Sequence, residues 1–339
     1  DRLEGIGWFA FETLKRITKA HPEHQFLFLF DRPFSNDFVF SDNVKPIVIF
    51  PQARHPILFN LWFDFSVARA IKNYKADVFF SPDGMLSLRT EVPQINVIHD
   101  LNFEHYPKDL PSHITRYYKK RFPKFAQKAK HIITVSENSK NDISKCYGIS
   151  NDKISVIYNG SGQYYKPLTS SEREKGISKF NNGTPYFIYV GSLNKRKNIE
   201  RMLTAFKELK EEYEKPLDFI IVGNPLWEKD RALDKVSNAV HYVGRKSGKE
   251  LAELVGCSSA MVYVSYFEGF CSGSVLIVLL ATLTSCKIVC NCAALSRKSK
   301  EASHDHQHRG PPSPERGRVS EGQAPFHPRI VSSGWQKVA

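Results

Sequence analysis

The residues YFIYVGSLNKRKNIERMLTAFKEL, from Tyr186 to Leu209, contain a complete strand, loop and helix. Their first five residues form a continuous apolar run, which is typical of a strand buried on both faces of a parallel sheet. Asn198 is placed to cap a helix whose apolar residues recur on one face. Those residues are Ile199, Met202, Leu203, Phe206 and Leu209. This unit predicts the strand–helix alternation of a doubly wound α/β sheet.

Similar units recur along the chain in two series. The first series of predicted strands comprises Gln25–Asp31, Pro46–Phe50, Asp77–Ser81, Gln94–His99, His131–Val135 and Ile154–Tyr158. The second comprises Tyr186–Gly191, Leu217–Gly223, Ala239–Gly244 and Ser259–Val264. Two parallel sheets are therefore predicted, with ligands bound at the carboxyl ends of their strands in a cleft.

The domain boundary is predicted near the Asn159-Gly160-Ser161-Gly162 turn. We expect one Rossmann-like domain over 1–160 and a second over 161–295. The chain opens directly on a glycine-rich turn, so the first strand of the first domain is expected to be missing. Residues 296–339 lack apolar periodicity and are predicted to be disordered.

Composition narrows the function classes. The chain has 339 residues, 41% of them apolar and 24% charged, which is typical of a globular protein. A net charge of +13 favours anionic partners such as nucleotides or phospholipid. No base-reading module is present, so nucleic acid is not expected. There is no signal peptide, and four of the six cysteines lie within 271–292, so a cytoplasmic location is expected.

The loop that follows the strand ending at Gly191 carries Lys195, Arg196 and Lys197 directly before the Asn198 helix. Cations at the carboxyl end of a strand and the N-terminus of a helix favour a phosphate group. The alternative is a solvated basic loop.

Three other motifs belong to the same predicted site. His99-Asp100 ends a strand, where the imidazole could contact a sugar or fill a structural role. Glu268-Gly269 follows the last clear strand and suits recognition of sugar hydroxyls. Gly5-Ile6-Gly7 opens an amphipathic helix; it is either an anion-approach turn or only a tight turn.

The order of these motifs resembles bacterial glycosyltransferase family 4, a retaining family with the GT-B fold. The resemblance covers about residues 1–270. It implies that the domain over 1–160 is on the acceptor side and that the domain over 161–295, which is incomplete, binds the nucleotide sugar. The matching motifs are Glu4–Gly7, Val97–Asp100, Thr134–Ser139, Val156–Gly160, Val190–Leu193, Arg196–Asn198, Val222-Gly223, Tyr242–Arg245 and Ser265–Phe270.

The resemblance implies a role for each predicted site residue. Arg196 and Lys197 would hold the diphosphate of a GDP- or UDP-sugar, His99 would contact the donor sugar, and Glu268 would hold its hydroxyls. The remaining donor-binding positions would be Gly5, Gly7, Gly223, Arg245, Gly269 and Phe270. Transfer to a glycan or lipid-linked acceptor would retain configuration and need no cofactor or metal.

After Phe270 the sequence departs from the family pattern. Leu276 stands where family members carry a second glutamate for the ribose. Ser272-Gly273-Ser274 can be encoded so that a one-base shift reads Leu-Glu-Ala, as in the family. We therefore hypothesise that part of the sequence after Phe270 is out of frame. The alternative function is a non-catalytic fragment with residual nucleotide binding. The cysteines and histidines of this region match no common zinc module, so no metal is assigned to them.

Residues 112–130 form a predicted helix in which basic residues alternate with aromatic ones, with Pro123 inside it. Such a helix could rest on an anionic membrane at the inner face of the cell, or could present a solvated basic face. The sequence leaves both interpretations open.

Overall fold

The structure is a computed structural model that describes residues 3, 5–223, 238–246, 248–270, 289–290 and 329–333. It contains two sheets flanked by helices. The first sheet has seven strands in the order β2-β1-β12-β3-β4-β5-β6, and the second has five in the order β11-β10-β7-β8-β9. The paired strands from β2 to β5 in the first sheet, and all pairs in the second, are parallel.

All ten predicted strands are present, and each end lies within two residues of its predicted position. They are β1 Gln25–Phe30, β2 Val44–Val48, β3 Val78–Ser81, β4 Gln94–Val97, β5 His131–Thr134, β6 Ile154–Val156, β7 Tyr186–Val190, β8 Asp218–Val222, β9 Val240–Tyr242 and β10 Ala260–Tyr263. Two short strands were not predicted: β11 Val289–Cys290 and β12 Arg329–Ser333.

The helices alternate with the strands, as the sequence predicts. They are α1 Gly5–Ala20, α2 Pro56–Leu61, α3 Ala68–Asn73, α4 Asn102–His105, α5 Ser112–Lys128, α6 Glu137–Tyr147, α7 Ser170–Asn181, α8 Ile199–Glu212 and α9 Gly248–Cys257. A π-helical turn, Trp62–Val67, joins α2 to α3. Among the described residues, no helix combines the length and apolar character that crossing a membrane requires.

The chain divides into two compact units. The first contains 1–98, 121–133 and 293–338, and the second contains 99–120 and 134–292. In the first unit, α1 packs through Leu14 on Phe26 and Phe28 of β1. In the second, α8 covers one face of the β7–β8 pair and α9 the other, because alternate residues of these strands point to opposite faces. The predicted boundary at residue 160 stays a prediction.

Strand β12 lies in the segment that the sequence analysis treats as disordered. It pairs in parallel with β1 and β3, so that Ile330 is opposite both Phe26 and Val78. Asp77 accepts a hydrogen bond from the Arg329 amide at 2.6 Å. Val331 and Ser332 are buried. For these five residues the prediction of disorder is wrong: a run too short to show periodicity gains its hydrogen bonds from two neighbouring strands.

Helix α5 differs from the membrane-facing interpretation in its aromatic side chains. Tyr117, Tyr118, Phe122 and Phe125 are all buried. The exposed residues of this helix include Arg116, Lys119, Lys120 and Lys124. The aromatic face packs inward, and the outward face is basic. Contact of this basic face with an anionic membrane stays a prediction.

Candidate active site

The candidate site lies in the second unit, where two loops meet after parallel strands. One loop follows β7 and contains a 3₁₀ turn over Lys195–Lys197. The other follows β10 and contains Glu268 and Gly269. Because β7 and β10 are parallel neighbours, the carboxyl ends of both strands lie at one edge of the sheet. The sheet thus brings Arg196, Lys197 and Glu268 together, although more than seventy residues separate them in sequence.

Glu268 bridges the two cations of the first loop. Its Oε1 accepts a hydrogen bond from Lys197 Nζ at 2.5 Å, and its Oε2 accepts one from Arg196 Nη1 at 2.7 Å. The exposed fraction of all three side chains is between 9% and 15%. Charge-assisted hydrogen bonds of this kind are strong when buried. Removal of one partner leaves the other charges buried without compensation.

Further contacts hold both loops in place. Lys197 Nζ also donates to the Tyr263 hydroxyl at 2.8 Å and lies over its ring. Arg196 Nη1 also donates to the Phe267 carbonyl at 2.6 Å. Asn198 precedes α8 as predicted, but its side chain makes no capping bond; it donates instead to the Val264 carbonyl at 3.2 Å. The prediction that Asn198 caps the helix through its side chain is therefore wrong.

The pKa values of the three groups reflect burial and pairing. Burial lowers the pKa of Lys197 more than the attraction of Glu268 raises it. Burial also opposes the charged form of Arg196, but Glu268 and Asp100 outweigh it, so the pKa of Arg196 is raised. Burial favours a protonated Glu268, yet Lys197 and Arg196 together hold its pKa below the usual value. The cluster therefore contains one carboxylate between two cations, an electropositive site at the edge of the sheet.

Gly269 lies against the residues that follow β4. A Cβ atom at this position would be 2.5 Å from the His99 carbonyl oxygen and 2.5 Å from the Asp100 Cβ. The backbone approach therefore requires glycine here. The backbone of His99 therefore lies next to the loop that contains Glu268. The predicted site requires these two residues to be neighbours. The His99 side chain is half-buried.

Two serines at the start of α6 complete the support of this loop. Ser136 is the N-cap: its hydroxyl accepts from the Ser139 amide at 3.0 Å and donates to the Gly269 carbonyl at 2.5 Å. Ser139 Oγ lies 3.1 Å from the same carbonyl and 3.0 Å from the His99 carbonyl. The sequence analysis included Ser136 and Ser139 only in the motif Thr134–Ser139, without a role for either. The i, i+3 spacing of the two serines at a helix N-terminus was the available signal.

The loop is also held from its other side by residues 105–109. The Tyr266 hydroxyl donates to the Asp109 carboxylate, with oxygen–oxygen distances of 2.9 and 3.1 Å. Rings of Tyr106 and Tyr266 lie 4.8 Å apart, and those of His105 and Phe267 lie 5.3 Å apart. Sequence reasoning missed these residues because no local pattern distinguishes them.

The remaining predicted residues are distributed over several segments of the chain. Gly223 follows β8 with φ +155°, and a Cβ there would overlap the Gly191 carbonyl, so the backbones after β7 and β8 approach each other through glycine. Arg245 is exposed after β9, and the Phe270 ring lies 6.3 Å from that of Tyr158. Gly5 and Gly7 lie in the first turn of α1, within the first unit. Leu276 and the proposed frame change lie outside the described residues.

Two groups of described residues could hold a metal ion: His21, Glu23 and His24, and His105, Asp142 and Cys146. In each group the ligand atoms lie within 4.8 Å of one another. Neither group includes a predicted site residue.

Comparison with solved structures tests the predicted fold. The GT-B glycosyltransferase WaaG, involved in lipopolysaccharide biosynthesis, aligns with a TM-score of 0.63 at 15% identity, over 86% of this chain and 78% of its own. HepE of Anabaena, solved with UDP and glucose, aligns with a TM-score of 0.62 at 16% identity and the same coverage. The predicted fold, α/β with two parallel doubly wound sheets of the GT-B type, is confirmed.

Sequence comparison gives the family. Residues 4–161 match Glycosyltransferase Family 4, and residues 170–276 match Glycosyl transferases group 1. O-antigen chain mannosyltransferase B of Escherichia coli is 25% identical over 285 residues, which are 79% of this chain and 74% of that protein. O-antigen chain mannosyltransferase RfbU of Salmonella typhimurium is 27% identical over 52% of this chain and 47% of its own. This chain belongs to the family 4 type of glycosyltransferases.

Proposed function

We propose that the protein transfers a hexosyl group from a GDP- or UDP-linked sugar to a glycan or lipid-linked acceptor, with retention of configuration. The observation that carries this proposal is the buried cluster of Arg196, Lys197 and Glu268 at the strand ends of the second sheet. Two cations beside the start of α8 provide charge for a diphosphate. A carboxylate within the same cluster provides acceptors for sugar hydroxyls.

In this proposal a bound donor would compete with Glu268 for the two cations. A diphosphate carries more negative charge than one carboxylate, so it would draw Arg196 and Lys197 toward itself. Glu268 would then accept hydrogen bonds from the sugar. His99 would lie at the reacting carbon, on the segment that already contacts Gly269. The protein's own cations neutralise the leaving diphosphate, so transfer would need no metal.

The relatives support a role in polysaccharide synthesis. Two of them are named as O-antigen mannosyltransferases, which favours a mannosyl donor. HepE was solved with UDP-glucose as well as with UDP, which favours a glucosyl donor. GDP-mannose and UDP-glucose are therefore the first two donors to compare.

The test measures release of nucleoside diphosphate and transfer of labelled sugar from each donor. Lys197→Ala is expected to abolish donor binding, measured by thermal shift, while Lys195→Ala is the matched control because Lys195 is exposed in the same turn. Product stereochemistry, read by NMR, checks retention, and activity in EDTA checks the absence of a metal requirement. Equal donor binding by both lysine variants would contradict the assignment of Lys197.

A second candidate is a non-catalytic protein with residual nucleotide binding. The observation that favours it is Leu276, which replaces the expected second glutamate. Turnover by this chain is compared with turnover by a version whose frame is restored after Phe270. We expect the restored version to be far more active. Sequencing of the encoding DNA tests the frame change itself: a gene in which no single-base change restores Pro-x-Leu-Glu-Ala rules it out.

A further inference from the structure

The helical run from Pro56 to Asn73 has an unusual outer face. Its inner face is buried through Phe59, Trp62, Phe63, Val67 and Ile71. Its outward residues at successive four-residue steps are Ile57, Leu61 and Phe65, with exposed fractions of 64%, 42% and 49%. These positions would ordinarily be polar on a surface helix. Contiguous exposed apolar side chains of this size mark an interaction surface.

Phe50 extends this apolar surface. Its side chain is 70% exposed. The backbone beside it is fixed to the helix, because the Trp62 indole donates to the Ile49 carbonyl at 3.0 Å and Ser66 Oγ donates to the Phe50 carbonyl at 2.5 Å. Four large apolar side chains therefore lie together on the first unit. We call this surface, formed by Phe50, Ile57, Leu61 and Phe65, the outer ridge.

The residues around the outer ridge are cationic. Arg54, Arg69 and Lys72 are exposed on the same segment. The Arg89 guanidinium lies 4.1 Å from the centre of the Phe65 ring. Within residues 50–73, all of which the structure describes, Asp64 is the only acidic residue. It is buried and accepts from Arg121 at 2.6 Å, so within residues 50–73 no exposed carboxylate offsets the cations.

We propose that the outer ridge docks on an anionic lipid bilayer. Apolar side chains beside cations are the combination that an interfacial helix uses, because the former enter the acyl boundary and the latter lie near lipid phosphates. A second copy of the chain fits less well, since a symmetric contact would bring the same cations together. Helix α5 contributes basic charge alone, because its aromatic side chains are buried.

The experiment measures binding of the full chain to vesicles of equal parts phosphatidylcholine and phosphatidylglycerol by co-sedimentation. The triple variant Ile57→Ser, Leu61→Ser, Phe65→Ser should lower the partition coefficient by roughly a hundredfold. Leu209→Ser with Tyr213→Ser is the matched control, since these exposed apolar residues lie on the second unit, and it should bind as the parent does. Arg69→Glu with Lys72→Glu should weaken binding, and added salt should weaken the parent in the same way.

Circular dichroism and thermal unfolding establish that the triple variant is folded, and Ile57→Ser alone replaces it if it is not. The proposal is overturned if these variants bind vesicles as the parent does. It is also overturned if the parent binds phosphatidylcholine vesicles equally well, or if it forms a dimer in solution that the triple variant lacks. No sugar nucleotide is present in the assay, so its result does not depend on the proposed transfer reaction.

Discussion

The loop after β7 and helix α5 are both dense in cations, but the structure gives their charges different surroundings. In the loop, Arg196 and Lys197 are largely buried and share the carboxylate of Glu268. On α5, Lys120 and Lys124 face solvent. A buried charge depends on its partners for stability, whereas an exposed one is screened by water. The comparison shows that basic residues indicate a site only where the fold removes them from solvent.

The largest effect is expected from Glu268→Ala. It leaves Arg196 and Lys197 buried without their shared carboxylate, so the second unit should lose about 3–5 kcal/mol of stability. Chemical denaturation followed by fluorescence measures this loss. Lys195→Ala removes an exposed charge from the same turn and should change little. If the two variants have the same free energy of unfolding, the buried charges of the loop depend on Glu268 no more than an exposed charge does.

A buried carboxylate without a cation partner should respond to pH in the opposite sense from Glu268. Burial raises the pKa of Asp83 from its usual value of 3.8 to about 6, and only hydrogen bonds from Ser81 and nearby backbone oppose it. Because the folded pKa is raised, its contribution to stability is present below about pH 4 and is lost as pH rises through about 6. The pKa of Glu268 is lowered in the folded protein. Its contribution to stability is therefore present above the pKa that Glu268 has in the unfolded chain, and it is lost as pH falls through the folded-state pKa.

Asp83→Asn should therefore flatten the thermal-stability profile of the protein between about pH 4 and 6, by up to about 3 kcal/mol. Differential scanning calorimetry across this range measures the change. Asp37→Asn, at a more exposed position, serves as the control. An unchanged slope in the Asp83 variant would mean that burial does not perturb this carboxyl.

The next effect tests how closely the Glu268 loop is packed. Gly269→Ala introduces a methyl group 2.5 Å from the His99 carbonyl, so we expect about 1–3 kcal/mol of destabilisation and weaker donor binding. Gly162→Ala is the control, because the added Cβ would meet nothing closer than the Tyr165 ring at 3.6 Å, an ordinary contact distance. Denaturant titration and donor-induced thermal shift measure the two quantities. Equal tolerance at both glycines would show that the loop can move away from His99.

The smallest effect is expected on α5. Lys120→Ala with Lys124→Ala removes two exposed charges and should change the free energy of unfolding by less than about 0.5 kcal/mol per site. The same denaturant titration measures it. A loss comparable to that of Glu268→Ala would break the contrast between the two basic regions.

Several features could be predicted from the sequence because they depend on local pattern. Continuous apolar runs such as Tyr186–Val190 specify buried strands wherever they occur. The helical spacing after Asn198 specifies α8 in the same way. The order of motifs, from Gly5 to Phe270, was sufficient to identify the glycosyltransferase family.

Other features depend on which distant residues meet. The sequence analysis placed the cations and Glu268 in one predicted site but assigned them different ligands. Only the pairing of β7 with β10 brings them into direct contact. Tyr263, Ser136 and Tyr266 support that cluster through contacts that no local pattern records. The position of β12 between β1 and β3 likewise depends on hydrogen bonds from two strands far away in sequence.

The two basic regions show the same division. The sequence by itself determined that the chain has strands, helices and an excess of positive charge at Arg196, Lys197 and α5. Only the tertiary structure decided which cations are buried beside a carboxylate and which aromatic faces turn inward. The tertiary structure also decided that the outer ridge faces solvent, although its helix has apolar residues on both faces. Periodicity cannot tell which apolar face of such a helix is covered, because burial depends on the neighbouring elements.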